Sequence, residues 1–332
     1  MALTINTNIS SLVAQRNLNN ATNSLNTAIE RLTTGFTINH AGDNAAGYSI
    51  SKMWVTQLSS LDIAASNAAT GSDMLTTAEE SYGLLTSHLQ RIRDLTEQAA
   101  NGTYGSASLR AINAEIVVRL QEINRISANV EFNGINLMDG TGVGAGGLNL
   151  QVGLYADKNS RITLEQSLFS DASLKGLFEN LADVESEGGK TLSELLTAAK
   201  SGATAADLKD NENNSLEAFA AVCSGLKFDG DDLVLQQTEK FEPIQMLSFL
   251  DSAIKDISNR VTQIGAAQNR IASALSSIDV QSQNITSSLS TLRDTDVAKE
   301  SSNYLQAQIL QQASATLLST ANQLPSVALN LL

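Results

Sequence analysis

The chain of 332 residues holds one cysteine, two prolines, two histidines and only 4% aromatic residues. A single thiol forms no internal disulfide, so nothing covalent cross-links the fold. His40 and His88 lie far apart without cysteine or acidic companions, which leaves metal catalysis poorly supplied and implies no metal or cofactor. So few prolines permit long uninterrupted helices. No run of about 20 apolar residues occurs, so the sequence predicts no membrane insertion. The opening Met1-Ala-Leu-Thr-Ile-Asn lacks the basic start and apolar stretch of a cleaved signal peptide. Basic residues are outnumbered, 21 against 35 acidic, and the resulting charge of −14 disfavours nucleic acid as a partner.

What is present is aliphatic. Hydrophobic residues reach 42% almost without Phe, Trp or Tyr, so the core must be Ala, Leu, Ile and Val, which suits helix packed on helix. Spacings of three and four alternate through Leu247, Leu250, Ile254, Ile257, Val261, Ile264, Gln268, Ile271, Leu275, Ile278, Ser282, Ile285, Leu289 and Leu292. One helix over that seam is about 70 Å long at 1.5 Å per residue, and only other long helices can cover it. The N-terminal part offers them. Ile5, Ile9, Leu12, Leu18, Leu25, Ile29, Leu32 and Phe36 mark a first amphipathic helix that should break at Gly35. A second runs from Ile50 to near Asn101-Gly102, and a third from Leu109 to a stop at Asn133-Gly134. The last carries Leu305, Ile309, Ala313, Leu317 and Ala321 and should end at Pro325. The remaining faces are rich in Ala, Ser, Thr, Asn and Gln rather than Glu and Lys, and can be covered by further copies without burying unpaired charge.

The pattern predicts a mainly α fold: a long-helix coiled coil and bundle built from both chain ends, with a β-hairpin and a small α+β outer domain. Boundaries are expected at 1–44 with 286–332 for a terminal coiled coil, 45–140 with 241–285 for a long-helix bundle, and 141–240 for a variable, surface-exposed domain. That middle segment has 16 carboxylates against 8 basic side chains, a net −8 of the chain's −14, as befits a solvated region. Within it Leu148–Gly153 reads as a strand, Leu226–Leu235 as a hairpin turning at Asp229-Gly230, and Leu192, Leu195, Leu196 and Ala199 as a short helix.

Chemical motifs are scarce. Gly142-Val-Gly-Ala-Gly-Gly147 matches G-x-G-x-x-G, but it precedes a strand instead of joining strand to helix, so it reads as a flexible linker. Cys223 has no paired histidine and reads as a buried thiol, and Trp54 as an interhelical or intersubunit anchor. No nucleophile, base and oxyanion site assemble, so the chain reads as a non-enzyme.

Both ends resemble bacterial flagellins. The residues that carry this are Ile5–Arg16, Leu32-Thr-Thr-Gly35, Asp43-Asn-Ala-Ala-Gly47, Leu89–Leu95 and Phe132-Asn-Gly134, then Ile264–Arg270, Gln308–Ala313 and Ala321–Pro325. The resemblance covers about 1–140 and 245–332. It implies a subunit that polymerises helically into the extracellular flagellar filament for motility, exported unfolded by the flagellar type III apparatus. Its termini would fold on assembly with further copies of the chain, and an export chaperone and cap or junction proteins would be its other partners. It also implies terminal coiled-coil assembly residues, here Ile5, Ile9, Leu12, Leu25, Ile29, Leu32, Leu289, Leu292, Leu305, Ile309 and Leu317. An inter-layer motif falls on Phe36, Asp43, Asn44, Gly47 and Trp54. A vertebrate Toll-like innate receptor binds many flagellins, and the contact motif falls on Gln90, Arg91, Arg93 and Leu95, with Glu115 on the next helix. Arg91 and Leu95, four apart, are expected to share a face.

Three departures stand out, one being that Trp54 is itself atypical of the family. Phe36-Thr-Ile-Asn39 replaces the usual Leu-Arg-Ile-Asn, so a basic residue is lost, and Asn44 removes a carboxylate that a partner cation would otherwise balance. Alternatives are the related hook–filament junction protein and a coiled-coil signalling module of the chemoreceptor type, which shares heptads rich in Ala, Ser and Gln.

Overall fold

The computed structural model describes residues 8–179, 191–201, 203, 208, 214–229, 232–235 and 243–329, so Ile5 and Gly230 lie outside the described residues. The long helices are α1 (Ile9–Thr34), α2 (Ala45–Ala100), α3 (Ser106–Asn129), α7 (Ile244–Arg293) and α8 (Val297–Leu329). Between α3 and α7 lie β1 (Glu131–Phe132), β2 (Ile135–Asn136), β3 (Leu148–Gln151), β4 (Arg161–Leu164), α4 (Leu174–Phe178), α5 (Leu192–Ala199), α6 (Asn214–Ser224), β5 (Leu226–Asp229) and β6 (Asp232–Leu235). The strands pair as three antiparallel hairpins, β1–β2, β3–β4 and β5–β6. The chain divides into two compact units, residues 1–61 with 279–332 and residues 62–278.

In the first unit α1 and α8 run antiparallel, as the bonds from Asn8 to Ala321, Gln311 to Thr22 and Thr37 to Asp294 show. α1 starts where Asn8 caps the Ser11 amide and ends where Gly35 turns left-handed at φ 74°, a conformation that costs glycine little. Asp296 caps α8 through the Ala298 and Lys299 amides. α8 does not stop at Pro325 but runs to Leu329. A proline near a helix end forfeits only one late hydrogen bond, which a helix this long tolerates.

The second unit is centred on α2, α3 and α7. α2 buries Leu75, Tyr82, Leu85, Leu89 and Ile92, and α3 buries Ile116, Leu120 and Ile123. Along α7 the buried centre recurs every seven residues at Leu250, Ile257, Ile264, Ile271 and Ile278. The second buried row is Met246, Ala253, Arg260 and Ala267, not Leu247, Ile254, Val261 and Gln268, which are half-buried on the other flank. The central row was legible in the heptads. The flank was not, because Met246, Ala253, Arg260 and Ala267 differ in size and polarity and share only their position on the helix.

α3 ends at Asn129, before the Asn133-Gly134 stop, and those two residues turn the β1–β2 hairpin with φ 51° and 78°. Two successive left-handed residues are what a tight hairpin turn requires. The 141–240 segment shares its core with the long helices. α6 is buried almost throughout, and Phe219 meets Phe178 edge-on at 4.9 Å. Buried side chains tie it and the stretch before it to the helices: Tyr82 donates to the Leu168 carbonyl, and Ser127 to that of Met138. Asn124 donates to the Leu208 carbonyl and accepts from the Leu174 amide. Arg260 reaches the Ser170 and Asp171 carbonyls.

Nor is 142–147 a free linker. A Cβ on Gly142 would lie 2.0 Å from the Asn136 carbonyl oxygen, and one on Gly147 2.3 Å from that of Leu164. Val143 between them is buried. Two of those glycines are there because backbones nearly touch; Gly144 and Gly146 have open space around them.

Candidate assembly surfaces and the inter-helix junction

Small residues make the α1–α8 seam. Ala14, Ala21 and Ala28 are buried on α1, facing Ala307, Ser314 and Ala321 on α8, each set at intervals of seven. Leu18, Leu25 and Leu32 on α1 are half-buried, and so are Leu289 and Leu292 near the end of α7. The large aliphatics expected to form that seam point elsewhere. Ile9 is 67% exposed, Leu12 58%, Ile309 64% and Leu317 61%, with Ile29 and Leu305 also exposed. The reason is geometric: two helices drawn close by alanine have no room for larger side chains between them. A groove of about 800 Å³ runs beside the seam, with Asn17, Asn20 and Asn23 of α1 on one wall and Leu310 and Leu317 of α8 on the other.

At the base of the pair the two inter-helix linkers clasp one another. The Thr37 amide donates to the Arg293 carbonyl at 2.7 Å, and the Thr295 amide to the Gly35 carbonyl at 2.9 Å. Phe36 and Asp294 form an antiparallel bridge, and the Thr37 and Thr295 hydroxyls are 3.0 Å apart. The Arg293 guanidinium lies 3.5 Å from the Phe36 ring centroid, a close cation–π stack. Thr37 stands where a basic residue was expected, and Arg293 places a cation there from the opposite linker. Just above, Arg31 in the last turn of α1 faces Glu300 in the first turn of α8 at 3.9 Å, each charge opposed to the nearby helix dipole.

The motif after α1 is a capping device. Asp43 accepts from the Asn39 and His40 amides at 3.0 and 2.9 Å. The two amides hold its carboxyl below the usual aspartate range, His40 contributing most. Asn44 accepts from the Gly47 amide at 2.9 Å and so caps α2, a task either amide or carboxylate performs. Gly47 is buried, and a Cβ there would meet Ile38 Cδ1 at 2.7 Å. Trp54 is half-buried on α2.

In the second unit Gln90 and Arg91 are exposed and Glu115 is half-buried. Arg91 and Arg119 both donate to Glu115, and Arg91 is the main cause that holds its carboxyl below the usual glutamate range. Arg93, half-buried, bonds to Asp251 at 2.6 Å. Leu95 is 2% exposed and belongs to the core with Leu89 and Ile92, so it does not share an open face with Arg91. Four residues advance a helix by about 400°, and the boundary between core and solvent falls within the remaining 40°. Cys223 is fully buried, and burial pushes its thiol up to about 12. His88 carries a buried Nδ1 without a hydrogen-bond partner, and burial pulls its pKa down.

A small-residue seam inside, large aliphatics outside and interlocked ends define a structural subunit whose business is contact with other protein. Comparison with known proteins gives the family. Residues 5–142 match the bacterial flagellin N-terminal helical region and residues 247–332 the bacterial flagellin C-terminal helical region. Polar flagellin F of Vibrio parahaemolyticus is 33% identical over 380 aligned residues, covering all of both chains. Flagellin B of Vibrio cholerae is 32% identical, again covering all of both. A crystal structure of Bacillus cereus flagellin is similar over 68% of this chain and 94% of its own, at 21% identity and a TM-score of 0.40. The chain belongs to the bacterial flagellin family. It is a structural subunit that self-polymerises into the flagellar filament, outside the cell, and not an enzyme.

Proposed function

We propose that the α1–α8 pair forms the innermost, assembling layer of the filament, and that Ile9, Leu12, Leu25, Ile29, Leu32, Leu289, Leu292, Leu305, Ile309 and Leu317 are covered there by neighbouring copies. One observation carries this: the pair closes on itself through alanines and leaves Ile9, Leu12, Ile29, Leu305, Ile309 and Leu317 exposed. Rows of exposed Ile and Leu on two long helices are an unfavourable surface for a lone chain and a good one for a polymer. The lone pair buries little apolar area, so its helices should gain most of their order from assembly. Ile5 belongs to the same proposal by sequence alone.

The layered division into 1–44 with 286–332, 45–140 with 241–285 and 141–240 belongs to this reading, with the acidic 141–240 segment on the filament's outer side. Phe36, Asp43, Asn44, Gly47 and Trp54 serve the transition between layers. Export proceeds unfolded through the flagellar type III apparatus, with an export chaperone and cap or junction proteins as partners. The lack of disulfides suits that route. A host Toll-like receptor would meet Gln90, Arg91, Arg93 and Glu115, a polar and charged patch, exposed at Gln90 and Arg91 and half-buried at Arg93 and Glu115, without Leu95.

The test substitutes Leu305, Ile309 and Leu317 together by Ser and follows seeded filament growth by electron microscopy. Loss of growth with unchanged monomer circular dichroism is expected. Filaments of normal length would overturn the assignment.

A further inference from the structure

The α1–α8 seam has a property that sequence period alone makes visible once the buried residues are known. Ala14, Ala21 and Ala28 on one side, and Ala307, Ser314 and Ala321 on the other, repeat every seven residues. Sliding one helix past the other by seven residues therefore sets small side chains against small side chains again. Packing of one repeating residue size cannot tell registers a heptad apart, and in long paired helices polar residues are what fix the alignment. The seam holds the helices together and leaves their register open.

Polar contacts must then choose the register, and they are unequal. Away from the base they are bonds of uncharged groups: Ser11 to Asn322 in the open, and Asn8 to the Ala321 carbonyl and Gln311 to Thr22 part-buried. At the base they are of another kind. The Glu300 side chain is 9% exposed, and its counter-charge is Arg31. A slip of one heptad would leave that carboxylate buried without the guanidinium, the costliest outcome available to an ion pair. The same slip would break both backbone bonds of the clasp and unstack Arg293 from Phe36.

We propose that the base of the terminal pair, made of Arg31–Glu300 and the Phe36–Arg293 clasp, is a register key that aligns an otherwise slippable alanine seam. Register matters because the outer surface is composite: it fixes where the exposed rows of α1 stand against those of α8. The inference rests on the proposal that this surface assembles, but its readout does not. Disulfide trapping reports the register. Ser11→Cys with Asn322→Cys traps the native alignment, and Ser11→Cys with Ala315→Cys traps a one-heptad slip. Cys223 is fully buried and does not interfere.

Filaments carrying each cysteine pair are oxidised and the intramolecular product is read by gel mobility. With the native key only the 11–322 product should form. Glu300→Ala with Phe36→Ala should shift product from 11–322 to 11–315, whereas Asn8→Ala with Gln311→Ala should leave 11–322 alone. Retention of 11–322 as the sole product in the key variant overturns the proposal. If that variant does not assemble, Arg31→Glu alone is compared with Arg31→Glu plus Glu300→Arg. The double exchange should restore the 11–322 product that the single change loses, and failure to restore it is equally fatal. Growth of normal filaments by the Ser triple variant, with trapping unaltered, would sink the assembly reading and leave the key standing.

Discussion

At the scale of single residues, size matters more than hydrophobicity in the terminal pair. Ala28 is 2% exposed while Ile9 is 67% exposed, an inversion of the usual burial order. Ala28→Leu should overpack the seam and cost about 1–3 kcal/mol, read as a lower melting temperature of filaments. Leu12→Ala should leave the isolated chain's stability within about 0.5 kcal/mol, as for an open surface site, yet slow filament growth. Asp43 supplies a pH dependence. Its folded pKa lies below the ordinary aspartate value because the His40 and Asn39 amides favour the anion. Its contribution is complete above the unfolded pKa and disappears as pH falls through the lower, folded one. Amide exchange in the 39–44 loop should accelerate over that acidic window, and Asp43→Asn should remove the acid-side step.

At the scale of elements, helix existence was legible and helix phase was not. The three-and-four spacing located α1, α2, α3, α7 and α8, because an amphipathic stripe must exist wherever a long helix meets a core. Which flank of α7 goes deepest was hidden, since Ala253, Arg260 and Ala267 owe their burial to the closeness of neighbouring elements. The same blindness made Leu95 look like a contact residue and Gly142 a linker. A sequence records what a glycine permits, not which backbone lies against it. Gly142→Ala should destabilise the second unit by about 1–3 kcal/mol in chemical denaturation, because Asn136 cannot move aside without disturbing the β1–β2 hairpin. Gly144→Ala, with nothing within 4 Å of its new methyl, should be close to neutral in the same assay.

At the scale of the whole molecule, the 141–240 segment is legible as acidic and distinct but not as a sharer of the long helices' core. Among the described residues Glu194, Glu217 and Asp229 are exposed on short elements whose inner faces are mostly apolar, and composition averages over both. Asn124 is the buried link between α3 and two of its loops, so Asn124→Ala leaves the Leu174 amide and the Leu208 carbonyl unpaired. A loss of about 1–3 kcal/mol is expected. Calorimetry of the monomer should show the long-helix bundle and the 141–240 segment melting together in one lowered transition. Separate transitions would show two independent domains instead.

The sequence by itself determined the class: scarce proline, aromatics and cysteine with sustained heptads specify long helices that need partners. It also held the family motifs at both ends. Tertiary structure alone decided which stripe of each helix faces inward, because burial depends on the distance to the next backbone and no residue encodes that distance alone. Hence the alanines took the seam, and the large aliphatics were left for contact with other copies of the chain.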